Sequence, residues 1–361
     1  MRPGSVLRAR RSPPRAAHVA GIALGLAFCC ACSGETASQV DARAPGPPFT
    51  ADDNDDPALD PTTPEQGEPS DGGTDARLDA GSTAAAPVTG FGLDADGVLM
   101  IRPPKSGGAS FALGTRNPNT AARFEIEQGT TATASTAANV HFWNVLSHPL
   151  NYASGGTGYT SRLHIRATGT TQKYTWRTEP GYLSVPSDLK NQELTVYVRA
   201  HTVLDPMRAA FTLKVRGGTH TASNGDLASC TMMVLAGPQT TGVARFGKEL
   251  THPSYDYVKL TPKSATSLAD NAWVGLKLVT YERDATHVVY RLYVDAAPFD
   301  AAGKPSNRFV LFSEYVDTAN KSTGRYATLA GWGGMQTTFR TDGVKSIDFA
   351  VLSVREIVPG T

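Results

Sequence analysis

The chain has 361 residues, with 34 Lys and Arg against 33 Asp and Glu, a formal net charge of +1, and an aromatic content of 8%. That balance excludes the strongly basic composition of a nucleic-acid-binding protein. Only four cysteines are present, three of them at positions 29, 30 and 32, which excludes a disulfide framework.

The first segment is basic and then apolar. Arg2, Arg8, Arg10, Arg11 and Arg15 precede Val19–Phe28, an apolar run of ten residues. A membrane-spanning helix needs roughly 20 such residues, so the run reads as the h-region of an export signal and not as a stable span. It ends in Cys29-Cys30-Ala31-Cys32-Ser33. This cluster resembles the lipobox of bacterial lipoproteins, in which a small residue precedes the cysteine that receives the lipid. The resemblance implies a signal peptide over residues 1–33 and lipidation of Cys32, which follows Ala31; Cys29 and Cys30 are rival acceptors, and an ordinary secretory signal is the alternative. The implied location is an exported, membrane-anchored lipoprotein at the outer membrane or cell surface, touching the membrane through its lipid alone.

Residues 34–88 lack hydrophobic periodicity and are rich in Ala, Pro, Gly, Thr and Asp. Such a segment buries too little apolar surface to offset its conformational entropy and is predicted to be a disordered linker. Its block Asp52-Asp53-Asn54-Asp55-Asp56 lacks the glycine turn and closing Glu of an EF-hand loop. Charge is unevenly divided along the chain. Residues 1–34 carry five basic and no acidic residues, residues 35–80 carry two basic and 12 acidic, and residues 81–361 retain a net of +6. That bias suits an acidic ligand.

Residues 89–361 read as one all-β domain, a two-sheet antiparallel β-sandwich. Glu193–Arg199, Phe211–Arg216, Trp273–Tyr281, Val288–Asp295 and Ile347–Arg355 each alternate apolar and polar residues with period two. Val98–Ile101, Arg123–Glu127 and Arg162–Ala167 are shorter strand candidates. Turn-forming segments such as Arg216-Gly-Gly and Thr341-Asp-Gly separate them, and no comparable stretch has helical periodicity. Cys230, in Ala-Ser-Cys-Thr-Met-Met-Val, is predicted to be a buried small hydrophobe.

The residues opposite the apolar positions are the informative ones. Tyr197 and Arg199, Lys214 and Arg216, Lys277 and Tyr281, and Arg291 and Tyr293 would line one face if their strands shared a sheet. Phenols can stack on sugar rings, and Arg and Lys can hold uronate carboxylates. Two loops add to the set. Lys214-Val-Arg216-Gly-Gly-Thr-His220 ends a strand, and Lys248-Glu-Leu-Thr-His252-Pro-Ser-Tyr255 gathers a cation, an imidazole and a phenol. β-Elimination at a uronate needs a cation to neutralise the carboxylate, a base for the C5 proton and an acid for the leaving oxygen. Arg216, His220, His252 and Tyr255 are the candidates for those roles. Tyr197, Arg199, Lys214, Lys248, Lys277, Tyr281, Arg291 and Tyr293 are the candidate substrate-binding residues. No metal site is predicted; Asp295, Asp300 and Asn307 are read as an ordinary loop, without assigning structural Ca2+ to them.

The region from about Asp94 to Ile357 resembles secreted concanavalin-A-like jelly-roll proteins related to glucuronan- and alginate-type polysaccharide lyases. The resemblance is carried by Asp96-Gly-Val-Leu-Met-Ile-Arg-Pro, Leu213-Lys-Val-Arg-Gly-Gly-Thr-His220, Lys248–Tyr255, Trp273-Val-Gly-Leu-Lys277 and Leu352-Ser-Val-Arg-Glu-Ile357. It implies two stacked antiparallel sheets and a face that binds an acidic polysaccharide. The sequence departs from the alginate-lyase pattern: Val215-Arg216-Gly217 stands where Gln-Ile/Val-His is usual, and no Tyr-Phe-Lys occurs. Three classes of function remain: a polysaccharide lyase, a non-catalytic carbohydrate-binding or adhesion lipoprotein, and a purely structural surface protein. Each is expected as a monomer without cofactor or nucleic acid. Gly-x-Ser-x-Gly, His-Glu-x-x-His and P-loop motifs do not occur.

Overall fold

The computed structural model describes residues 86–126, 131–151, 157–166, 189–218, 230–240, 242–251, 254–319 and 328–360. The signal, Cys32 and most of the linker lie outside them. Among the described residues there is no helix. In chain order the first strands are β1 (Gly92–Leu93), β2 (Leu99–Met100), β3 (Ser110–Ala112), β4 (Phe124–Ile126), β5 (Thr133–Ala137) and β6 (Val140–Leu146). Then come β7 (His148–Asn151), β8 (Thr157–Arg166), β9 (Gln192–Val203), β10 (Ala210–Gly217), β11 (Cys230–Ala236) and β12 (Ala244–Thr251). The last are β13 (Ser254–Leu260), β14 (Trp273–Asp284), β15 (His287–Asp295), β16 (Val310–Asp317), β17 (Gln336–Asp342) and β18 (Val344–Glu356).

Two eight-stranded antiparallel sheets result. Sheet I runs β13-β12-β11-β10-β17-β8-β4, with β7 added beside β8; sheet II runs β16-β15-β14-β9-β18-β6-β5, with β3 added beside β18. The expected two-sheet β-sandwich is therefore the fold. All five alternating segments are strands, and they reach their positions because period-two patterning puts one apolar row against the opposite sheet. Leu163, Ile165, Phe211, Leu213, Phe246 and Phe339 of sheet I meet Leu194, Val196, Leu276, Leu278, Leu292 and Phe349 of sheet II in one continuous core. Gly343 closes the β17–β18 hairpin at φ 68°, where a Cβ would lie 2.7 Å from the Asp205 carbonyl oxygen.

The outer face of sheet II is partly roofed. Residues 88–101 and the 297–309 loop lay Val88, Leu99, Ile101, Phe299 and Phe309 over Tyr197, Val279, Tyr281, Val289, Tyr293 and Val351. The loop is pinned by its own polar residues. Asp295 accepts from Ser306 Oγ (2.6 Å) and Arg308 N (2.7 Å), Asp300 caps the amides of Ala302 and Lys304, and Asn307 bridges Leu99 N and the Gly97 carbonyl. Beneath the roof sits Glu193, with a fully buried side chain. Its carboxylate accepts from Lys277 Nζ (2.8 Å), from Arg355 Nη2, and from the amides of Ile101 and Arg102 (3.1 Å each). Arg355 also reaches Asp94 at 3.2 Å, and Arg102 donates to Tyr281 at 3.0 Å while lying over its ring.

Two stability predictions follow from these contacts. The Phe246 ring stacks on Tyr315, with centroids 4.1 Å apart, and Phe246→Ala is expected to cost about 3–5 kcal/mol. Urea denaturation should show a lower midpoint with an unchanged m-value. Glu193→Gln leaves Lys277 without a carboxylate and Arg355 with Asp94 alone, and is expected to cost about 3–5 kcal/mol. Lys277→Met should cost less in the same assay, because Arg355 and two backbone amides still hold Glu193.

Candidate functional site

Sheet I presents a second polar row, on the side away from the core. Since Leu163 and Ile165 of β8 point inward, Arg162, His164 and Arg166 point outward. By the same alternation β17 presents Gln336, Thr338, Arg340 and Asp342, β10 presents Thr212 and Lys214, and β12 presents Arg245 and Glu249. The register aligns Glu125, His164, Thr338 and Lys214 across four neighbouring strands, and the row continues through Met232 and Gly247 to Tyr257. At an inter-strand spacing of about 4.8 Å this row is about 29 Å long.

His164 stands second in the row, between Glu125 and Thr338. Its Nδ1 lies 2.8 Å from Thr338 Oγ1 and 3.0 Å from Gln336 Nε2, while Gln336 Oε1 makes no hydrogen bond. Around it, Arg166 pairs with Glu125, Arg340 makes a two-pronged pair with Asp342 (2.8–3.0 Å), and Lys214 reaches Glu249 at 3.3 Å. Cys230 is buried as expected and its thiol donates to Glu249 at 3.2 Å. Burial pushes that thiol well up, so the group stays a neutral donor. Tyr257 lies over Gly247, where a Cβ would come within 2.8 Å of its ring, and donates to Met232 Sδ at 3.6 Å. Burial holds its phenol protonated. Five cations, Arg162, Arg166, Lys214, Arg245 and Arg340, thus share a face with three acids, Glu125, Glu249 and Asp342, and the central side chains are only 2–3% exposed.

The predicted binding residues divide between the sheets. Tyr197, Arg199, Lys277, Tyr281, Arg291 and Tyr293 do share a face, on β9, β14 and β15 of sheet II. Lys214 is on sheet I, so the single face drawn from sequence does not exist. Most of the sheet II set is also roofed. Tyr197 and Lys277 are fully buried, Tyr281 and Tyr293 are 2% and 6% exposed, and burial raises the Tyr197 and Tyr293 phenols and lowers the Lys277 ammonium. Alternation showed which residues oppose the core, but not that another segment covers them. Arg291 stays at the margin, paired with Glu314. Arg199 lies beyond the roof, between the rings of Phe142 (5.2 Å) and Trp273 (4.9 Å). It is held by Asp348, which also takes His201 Nε2 at 2.6 Å.

Arg216 and Lys248 point into the sandwich. A register shift between Lys214 and Gly217, with Arg216 at φ 55°, turns Arg216 inward beside Val215, where strict alternation would face it outward. It is fully buried and so is displaced from the carboxylate-neutralising role expected of it. Lys248 shares the core side with Phe246 and forms a buried pair with Asp317 at 2.7 Å, not a substrate contact. His220 and His252 lie outside the described residues. For Tyr255 only the backbone is described, opposite Glu249. The residues missed by the sequence reading, Arg162, His164, Arg166, Gln336, Thr338 and Arg340, carry a usable signal: basic or polar residues alternate with Leu163, Ile165, Thr337 and Phe339 on two strands that pair. Among the described residues no group of three or more His, Cys, Asp or Glu is placed to hold a metal ion.

No protein-family model and no curated protein matches the chain. Solved structures that align with it include the exoplasmic/lumenal domain of VIP36, at 9% identity over 69% of this chain and 90% of that one, with a TM-score of 0.36. A seed lectin of Lotus tetragonolobus aligns at 9% identity over 68% and 97%, with a TM-score of 0.35. An endo-β-1,4-glucuronan lyase of the fungus Trichoderma reesei aligns at 11% identity over 64% and 90%, with a TM-score of 0.34. At these scores the likenesses carry no argument, and the sandwich stands on its own sheet topology.

Proposed function

We propose that the protein acts on an acidic, uronate-containing polysaccharide held along the outer face of sheet I, and cleaves it by β-elimination. The observation that supports this is the cationic row around His164. Arg162, Arg166, Arg340 and Lys214 supply the positive charge that neutralises a uronate carboxylate, which acidifies the proton at C5. Thr338 and Gln336 hold His164 by Nδ1. An imidazole fixed in this way is the side chain suited to taking up a proton near neutral pH. His164 takes the C5 proton, the C4–O bond breaks as the C4=C5 double bond forms, and the departing glycosidic oxygen takes up a proton. The extended row suits a polymer better than a single sugar.

A non-catalytic carbohydrate-binding role uses the same face. One observation favours it: Tyr257, the described phenol on this row, is engaged with Met232 and held protonated by burial, leaving His164 to serve as both base and acid. In either case the proposed setting is an exported lipoprotein, anchored through Cys32 and carried on the 34–88 linker, which gives the domain reach over an extended substrate.

Incubation of the full chain with glucuronan, alginate and polygalacturonate, followed by the ultraviolet absorbance of the unsaturated product, tests the reaction. Absorbance is expected with at least one polymer, and His164→Ala should lower kcat about 10²–10⁴-fold while polymer binding persists. Binding without absorbance selects the carbohydrate-binding role. Absence of both contradicts the proposal.

A further inference from the structure

Of the four strands that end the two sheets, three carry charged residues: β4 has Glu125, β13 has Asp256 and Lys259, and β16 has Glu314 and Asp317. The fourth, β5, carries none. Thr133-Ala-Ser-Thr-Ala137 is exposed at every position, and residues 131–140 contain no charged side chain and no proline. Charge, proline and bulges are among the devices that keep an edge strand from pairing with another chain. β5 pairs with β6 without a register shift, so it uses none of the three. Its position is fixed at the hairpin tip. Asn139 Nδ2 donates to the Ala301 carbonyl at 3.4 Å, and a Cβ at Gly303 would lie 2.5 Å from the Asn139 carbonyl oxygen.

The free backbone groups of this edge can be assigned. Ala138 and Asn139 both have positive φ, 49° and 64°, which makes the β5–β6 connection a two-residue type I′ turn. The residues flanking such a turn, Ala137 and Val140, exchange hydrogen bonds, and the pairing then alternates along the ladder. Thr133, Ser135 and Ala137 are therefore spent on β6, while Ala132, Ala134 and Thr136 direct their N–H and C=O groups away from it. Ala132 agrees with this parity. The Asn119 side chain stands in for a strand beside it, with Oδ1 accepting from the Ala132 amide at 2.8 Å and Nδ2 donating to its carbonyl at 2.9 Å. Among the described residues nothing takes that place beside Ala134 and Thr136. These two lie symmetrically about Ser135.

We propose that β5 pairs with β5 of a second copy of the chain, antiparallel about a two-fold axis at Ser135, and so joins sheet II to its counterpart in a closed dimer. In that register Ala134 meets Thr136 of the partner subunit, and Thr136 meets Ala134 of the partner subunit. Each pair exchanges N–H and C=O, so every outward group of the two residues is satisfied. No side chain of β5 is larger than Thr, and none carries charge, so nothing repels or blocks the second copy at the axis. The strand contact is small beside the about 800 Å² per partner of a stable complex, so the dimer is reversible and depends on concentration. The monomer expected from sequence took no account of this edge.

Sedimentation velocity of the full chain, from low-micromolar to sub-millimolar concentration, tests this pairing. The weight-average mass is expected to rise from one chain towards two and to go no further. Amide exchange at Ala134 and Thr136 should slow over the same range. Ser135→Lys sets two ammonium groups against each other at the axis and should raise the dissociation constant at least about ten-fold. Thr136→Pro removes an outward donor at a position where an edge strand tolerates proline. It should weaken association to a similar extent while the Tm of the dilute protein stays close to that of the wild type. A chain that is monomeric throughout, growth beyond two chains, or a dimer indifferent to both substitutions would each overturn the proposal.

Discussion

One carboxylate holds a segment of the chain over the outer face of sheet II. Glu193 stands on the outer side of β9, where a two-sheet protein would ordinarily show a solvated residue, yet its side chain is fully buried. It draws Lys277 from β14, Arg355 from β18 and the amides of Ile101 and Arg102 onto two oxygens. Taking such charges out of water is unfavourable unless every lone pair and proton finds a partner. The 94–102 segment supplies several of those partners and is thereby bound to the sheet. With it come the apolar residues of the roof, and a strip that alternation alone would assign to solvent becomes a second, smaller core.

Sheet I is organised differently. Its outer polar residues pair chiefly with one another: Arg340 with Asp342 along β17, Lys214 with Glu249 across β11, and Gln336 of β17 with His164 of β8. Cations outnumber acids, and the charges are set close together at low exposure, where attraction to an incoming anion is less screened than at an open surface. The Lys248–Asp317 pair and Arg216 lie on the inner side of the same sheet, close to the β10 bulge. Polar chemistry is thus carried by both faces of sheet I, with an apolar row occupying the rest of the inner one.

The sequence was most informative where one physical rule acted alone. The alternation in Glu193–Arg199, Trp273–Tyr281 and Val288–Asp295 fixes inward and outward residues correctly, and these three strands do share a sheet. Cys230 and its buried context were equally legible. Arg216 was not, because a single bulge inverts the direction of one side chain and leaves no trace in hydropathy. Nor was the partition of strands between sheets, since period two gives the direction of a side chain and not the identity of the neighbouring strand. Arg162-Leu-His164-Ile-Arg166 alternates as clearly as any segment, but its importance depends on β17 lying beside it, a contact between residues about 175 positions apart.

We propose that an acidic polymer meets the molecule on the outer face of sheet I, where cations outnumber acids, and not on sheet II, whose outer face is largely occupied by the protein's own chain. The direct test is a crystal structure of the protein with a bound uronate oligosaccharide. The account predicts sugar carboxylates in hydrogen-bonding contact with Arg162, Arg166, Arg340 or Lys214, alongside His164. An oligosaccharide seated instead on sheet II, against Trp273 and Arg199, would contradict it.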